Sequence, residues 1–137
     1  MGWWGTNIMG GDTPLDIEGN IGDVLFTKEE LVQHKVSYPS QLPNNVIHQR
    51  LAERIGQWKE WFNPIHSRWA GYGNGELAYH VIGWMCVTES VKIPDELKAL
   101  IVQAVDFSLA TEEDWNWKDW QTRQDELRTF RQQVIDN

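Results

Sequence analysis

The chain has 137 residues, which suits one domain with one core, and its hydrophobic fraction of 41% excludes disorder of the whole chain. Its formal net charge of −8 argues against unaided binding to a phosphate backbone, because such binding requires clustered Lys and Arg. The single cysteine, Cys86, cannot form an intramolecular disulfide, and no signal peptide or transmembrane stretch is visible. These features predict a cytoplasmic protein.

The first predicted helix follows a glycine-dense opening, residues 1–11, for which we expect irregular backbone. Thr13 and Asp16 have the spacing of a helix cap, in which the first side chain caps and the second reaches back. Gly19 and Gly22 lie within this helix and each weakens it. Two glycines there indicate either close packing against a neighbour or an irregular helix.

Two further helices are predicted before the middle of the chain. A second capping box at residues 27–30 predicts a short helix that ends near Lys35. Apolar residues then recur at intervals of three and four, which predicts a longer helix over residues 44–62. Pro64 is predicted to end that helix, because the residue before a proline disfavours helical backbone.

Residues 76–89 are predicted to form the central helix of the fold. Apolar residues occur on nearly every side of this stretch, and a helix that is apolar all round is usually buried. We therefore expect Trp84 and Cys86 to lie in the core. His80 lies on the same helix, and a hydrogen-bonded core histidine is the favoured interpretation over a catalytic base.

Pro94 is predicted to open the next helix, and Thr111 to cap the last one. Trp117 and Trp120 are expected within that last helix, on its inward face. No clear alternating strand and no repeat appear. The sequence therefore predicts an all-α fold, residues 1–137 as a single domain of five or six helices packed around the central one.

An acidic, tryptophan-rich segment is the strongest candidate for a partner-binding surface. Tryptophan is enriched at interface hot spots, and acidic residues favour basic partners. Trp115 is predicted to point away from the face that Trp117 and Trp120 share, and Trp69 lies in a predicted loop as a second surface anchor. The predicted partner-binding residues are Glu112, Glu113, Asp114, Trp115, Asp119 and Trp69.

Chemical motifs are missing from the sequence. It contains no metal-ligand spacing, nucleophile motif, phosphate loop or dinucleotide fingerprint, so we predict no metal and no cofactor. Asp12 and Asp16 are four residues apart and can share a helix face as a divalent-ion site. Complementing the positive end of a helix is the simpler role for them. An enzyme would require these two residues to converge with His80.

The opening of the chain resembles that of a known protein family. Residues 1–6 read Met-Gly-Trp-Trp-Gly-Thr, and residues 11–16 read Gly-Asp-Thr-Pro-Leu-Asp. This is similar to a family of small, acidic, uncharacterised bacterial and bacteriophage proteins that open with Met-Gly-x-Trp-Gly and an Asp-rich helix start. The resemblance implies a prokaryotic or phage origin and supplies no functional residues.

Three functions remain open from the sequence. The favoured hypothesis is a non-enzymatic protein that binds a host or defence protein with a basic surface, such as a phage-encoded inhibitor. The second is an acidic mimic of nucleic acid, against which the scattered Lys and Arg of residues 46–69 count. The third is a small enzyme or metal-dependent protein that uses Asp12, Asp16 and His80. Direct binding to nucleic acid or membrane is not expected.

Overall fold

The computed structural model describes residues 8–114, 117 and 119–137. These residues contain no β-strand, and the all-α prediction is confirmed. The α-helices are α1 (Asp12–Leu25), α2 (Lys28–Gln33), α3 (Asn44–Arg54), α4 (Trp58–Ala70), α5 (Gly75–Thr88), α6 (Asp95–Thr111) and α7 (Trp120–Asp136). Short 3-10 segments lie between some of them, at Pro39–Gln41, Ile55–Gln57 and Glu112–Asp114.

Helix α5 lies at the centre of the fold, as predicted for residues 76–89. It packs against α1, α4, α6 and α7, and buried side chains occur on all its sides. Cys86 is buried as predicted, and burial raises the pKa of its thiol to about 12, which keeps it unreactive at neutral pH. Neither α5 nor any other helix in the described part is long and apolar enough to cross a membrane.

A glycine in the middle of α5 allows two neighbouring helices to approach its backbone. A Cβ atom on Gly83 would lie 2.9 Å from Ile101 Cγ2 of α6 and 3.0 Å from Phe130 Cζ of α7. Both neighbours are buried, so neither can move aside freely. Close packing of α5 with α6 and α7 therefore depends on the missing side chain.

The start of α1 differs from the prediction, whereas the start of α2 confirms it. No side chain caps α1, which begins at Asp12 after Gly11, and Thr13 is buried instead of capping. Gly11 has a φ angle of 92°, a positive value that favours glycine. At α2, Thr27 Oγ1 accepts a hydrogen bond from the Glu30 N–H at 3.2 Å, and Glu30 Oε1 accepts one from the Thr27 N–H at 3.0 Å.

The single helix predicted over residues 44–62 is two helices. The 3-10 segment Ile55–Gln57 separates α3 from α4, and Trp61 Nε1 donates a hydrogen bond to the Arg54 carbonyl at 2.8 Å. This bond satisfies a carbonyl at the end of α3, so the helix can stop there. The prediction that Pro64 ends a helix is wrong, because α4 continues through it. Pro64 is exposed, and water can bind the backbone carbonyl that it leaves without a donor.

The link between α6 and α7 also differs from the prediction. Thr111 does not cap a new helix: it is the last residue of α6, and its hydroxyl donates to the Phe107 carbonyl at 2.8 Å. Helix α7 is capped instead by Asp119, whose carboxylate accepts a hydrogen bond from the Thr122 N–H at 3.1 Å. Trp117 therefore precedes the last helix.

Two glycine-to-alanine substitutions test the close packing of α5. We expect Gly83→Ala to lower the free energy of unfolding by about 1–2 kcal/mol, because overpacking outweighs the gain in helix propensity. Gly19→Ala should raise it by about 0.5–1 kcal/mol, because nothing lies within 4 Å of a Cβ at that position. Urea unfolding measures both changes. Stabilisation by Gly83→Ala equal to that by Gly19→Ala would contradict the packing described here.

Candidate functional site

Glu112, which the sequence places on a partner-binding surface, is buried with 0% exposure. Its carboxylate accepts hydrogen bonds from Arg123 Nε at 2.8 Å and Nη2 at 3.4 Å, and Arg123 is itself 1% exposed. The Arg123 guanidinium lies 4.7 Å from the centre of the Trp117 ring. The surface assignment of Glu112 is therefore wrong, because its charge is used inside the protein to join the end of α6 to α7.

The other predicted partner-binding residues do not form one surface with Glu112. Glu113 and Asp119 are exposed, and Asp119 serves as the cap of α7. Asp114 ends the 3-10 segment that follows α6, and Trp115 lies outside the described residues. Trp69 is in α4 and not in a loop, and its Nε1 donates to Asn20 Oδ1 of α1 at 2.8 Å. Trp69 is half-buried and helps to hold α4 against α1.

A pair of substitutions compares the buried Glu112–Arg123 ion pair with an exposed ion pair of the same geometry. Arg131 and Asp106 are joined at 2.8 and 3.4 Å at the protein surface, where both side chains are more than a third exposed. We expect Arg123→Met to lower the free energy of unfolding by about 3–5 kcal/mol, because it leaves a buried carboxylate without its counterion.

The matched control is Arg131→Met, which should cost about 0–1 kcal/mol, because water and salt screen an exposed pair. Guanidinium unfolding is unsuitable for this comparison because the denaturant is itself a salt, so urea unfolding at constant ionic strength is the measurement. Equal costs for the two variants would contradict the structural role of Glu112.

His80 is fully buried, as predicted, and it contacts α6 and α7. Its Nε2 atom lies 3.2 Å from Ser108 Oγ, and its ring packs edge-on against Phe130. Burial first, and the charge of Arg123 second, lower the pKa of His80 to about 3. No carboxylate among the described residues hydrogen-bonds to the ring. The geometry is that of a neutral core histidine and does not provide an oriented base that a substrate can reach.

The two aspartates of the enzyme hypothesis differ from His80 in exposure. Asp12 and Asp16 are exposed on α1, whereas His80 is enclosed between α5 and its neighbours. Within the described ranges, no group of three or more His, Cys, Asp or Glu side chains is arranged to hold a metal ion. The structure therefore does not bring Asp12, Asp16 and His80 together in a pocket.

The burial of His80 predicts a dependence of stability on pH. The unfolded chain binds a proton at His80 near pH 6.5, whereas the folded protein binds it only near pH 3. Stability from neutral His80 is therefore complete above about pH 6.5 and declines as the pH falls, by about 1 kcal/mol per pH unit.

Urea unfolding between pH 7 and pH 5 tests this dependence. We expect His80→Leu to flatten the fall in unfolding free energy, because the proton uptake by the unfolded chain is lost. His34→Gln, a change at an exposed histidine, should keep the wild-type slope. An unchanged slope in His80→Leu would contradict the buried, neutral state of His80.

A groove of about 550 Å³ opens between α1, the segment Tyr38–Ser40, the start of α3 and the end of α5. We call it the Trp84 groove. Its volume falls in the range of pockets that bind small molecules. Apolar residues from several elements form much of its lining, namely Leu15, Leu25, Phe26, Ile47, Trp84 and Met85.

Trp84 is the largest side chain in this groove. The sequence predicts it in the core, but the structure places it half-buried, packed against the core on one side and lining the groove. Leu15 and Tyr38 also line the groove and are 55% and 65% exposed. Large apolar side chains exposed together at a concave surface are typical of an interaction site.

The charged residues that line the Trp84 groove are all acids, and Arg50, which lies over the Phe26 ring nearby, is paired with Glu30. Glu18, Asp23 and Glu89 contribute to its lining, which contains no Lys or Arg. None of the three carboxylates forms an ion pair with a described residue. Burial raises the pKa of the Glu18 carboxyl, so this acid loses hydration without gaining a counterion. The groove therefore combines an apolar lining with unneutralised negative charge.

The sequence did not identify this groove, although two glycines marked its position. Gly22 packs against the 3-10 segment, because a Cβ atom there would lie 2.7 Å from Pro39 Cβ. Gly19 lines the groove and has open space beside it. The observed helix is thus both closely packed and regular. Two glycines three residues apart on an amphipathic helix indicate that another element packs closely against it. They do not reveal which element this is.

Comparisons with protein-family models, with curated proteins and with solved structures find no match to the chain. The candidate site is therefore defined by its geometry and charge.

Proposed function

We propose that this protein binds another protein, and that the Trp84 groove receives an apolar segment of the partner that also carries Lys or Arg. The observation that supports this proposal is the composition of the groove. Its apolar lining offers hydrophobic burial, and its acids, Glu18, Asp23 and Glu89, have no Lys or Arg beside them in the lining. An apolar segment with basic residues complements both properties.

Trp84 is the central contact in this proposal. A half-buried tryptophan already held by the core loses little side-chain entropy when a partner covers it. Tryptophan is also among the residue types that most often dominate binding energy at an interface. Leu15 and Tyr38 extend the apolar area on the α1 side and the 3-10 side of the groove.

Glu18 is the reason that we expect the groove to prefer a positively charged partner. Its carboxyl is partly removed from water and has no counterion in the described part of the chain. An ammonium or guanidinium group of a partner would supply that counterion and favour the ionised form. The chain's net charge of −8 also accelerates the approach of a basic partner.

The resemblance of the N-terminal residues to bacterial and bacteriophage proteins supports a more specific proposal about the partner. The partner is proposed to be a host or defence protein in a bacterial cytoplasm, and this protein a phage-encoded inhibitor of it. Only the short opening motif of residues 1–16 supports that assignment. The proposal that the protein binds a partner depends on the groove and does not require this assignment of the partner.

The two other hypotheses have less support. A nucleic-acid mimic needs an unbroken stripe of carboxylates, but basic residues are interspersed as ion pairs at Lys59–Glu96 and Arg131–Asp106. An enzyme that uses Asp12, Asp16 and His80 lacks their convergence.

Binding of defined peptides to variants of the groove tests the proposal. The probes are a short amphipathic peptide of Leu and Lys, and a matching peptide of Leu and Glu. We expect the Lys peptide to bind, and Trp84→Ala to weaken its binding by tenfold or more, as for a typical hot spot. Leu15→Ala should weaken binding severalfold, and because Leu15 is 55% exposed this variant keeps the fold intact. Calorimetric titration gives the dissociation constants.

The controls remove equivalent groups outside the groove. Tyr72→Ala deletes an aromatic side chain that is 70% exposed, and Glu29→Gln deletes an exposed acid; neither residue lines the groove. Both variants should bind like the wild type, whereas Glu18→Gln should bind more weakly. Equal binding of the Glu peptide, or equal weakening by Tyr72→Ala, would refute the proposal.

A further inference from the structure

A second groove, of about 610 Å³, lies between the end of α4, the start of α5 and one face of α6. We call it the Glu76 groove. Its α6 side is built from residues that recur every three or four positions, so they share one face of the helix. The polar and aromatic residues that line it are His66, Glu76, Tyr79, Gln103, Phe107 and Thr111.

Aromatic rings form two parts of this groove. Phe107 of α6 is 53% exposed, which leaves much of its ring open to a ligand. On the opposite side, the rings of His66 and Tyr79 pack together with their centres 4.4 Å apart. Burial lowers the pKa of His66, which favours the uncharged form of its ring. The faces of such aromatic rings attract cations.

The acid that lines this groove together with the rings has no counterion among the described residues. Glu76 lines the groove, no Lys or Arg does, and Glu76 forms no ion pair with a described residue. Partial burial raises the pKa of Glu76; a hydrogen bond with its own backbone opposes this in part, and the nearby charge of Glu112 adds a smaller upward contribution. Arg123 pairs with Glu112, so the charge of Glu76 is the one left unbalanced.

We propose that the Glu76 groove binds an alkylammonium cation, with the Glu76 carboxylate as its counterion and the Phe107 ring as its aromatic contact. An anionic ligand is disfavoured, because no Lys or Arg lines the groove and burial of His66 favours its uncharged form. The groove is wide and open, and the partial positive charge at the start of α5 offsets part of the Glu76 charge. The expected affinity is therefore in the millimolar range. This site is at the other end of α5 from the Trp84 groove and does not depend on the function proposed for it.

Titration with choline, followed by backbone amide NMR of the whole protein, tests the site. The matched neutral probe is 3,3-dimethyl-1-butanol, which has the shape of choline without its charge. We expect choline to cause saturating shifts at amides around the groove, such as those of Glu76 and Thr111. The neutral alcohol should bind at least about tenfold more weakly if charge decides binding.

Substitutions at Glu76 and Phe107 test whether choline binds through these two side chains. Glu76→Gln and Phe107→Ala should each weaken choline binding severalfold, and Phe107→Ala removes only an exposed ring, so it keeps the fold. Glu29→Gln is the control, because Glu29 is likewise an acid in the first turn of a helix and lies outside the groove. Absence of saturating shifts at the groove, equal binding of the alcohol, or equal weakening by Glu29→Gln would each overturn the proposal.

Discussion

The rest of the structure depends on how closely four helices enclose α5. At Gly83 the backbone of α5 is touched by Ile101 and Phe130, and no other residue type leaves room for both. Packing on all sides leaves few side chains of α5 partly exposed, and Glu76, Tyr79 and Trp84 are among them. Glu76 and Tyr79 line one groove, and Trp84 lines the other. The packing that stabilises the core therefore also limits which side chains of α5 a partner can reach.

The buried Glu112–Arg123 pair changes how the negative charge of the chain should be understood. Composition suggests a uniformly acidic surface, but this acid neutralises a cation in the interior, and Glu30 is likewise held by Arg50. Excess charge remains where carboxylates have no cation beside them, and Glu18 in the Trp84 groove is such a position. For recognition, the location of unpaired acids matters more than the net charge.

Helical periodicity predicted most of the fold, because it reports which faces must be buried. The central helix at residues 76–89, the buried His80 and the capping box at Thr27 are all observed. Helix ends and the site were less predictable, since they depend on contacts between distant residues. Trp61 reaching the Arg54 carbonyl divides one predicted helix into two, and nothing in the local sequence announces that bond. The Trp84 groove likewise forms from segments far apart in the chain.

The contact between Gly22 and Pro39 has a consequence for how the Trp84 groove could change during evolution. The 3-10 segment forms one wall of the groove, and it rests directly on the backbone of α1 because Gly22 has no side chain. A single methyl group at that position would act as a wedge and push the wall outward. The width of the groove therefore depends on residue 22 being glycine. Any other residue there would widen the groove and change the size of the group that fits into it.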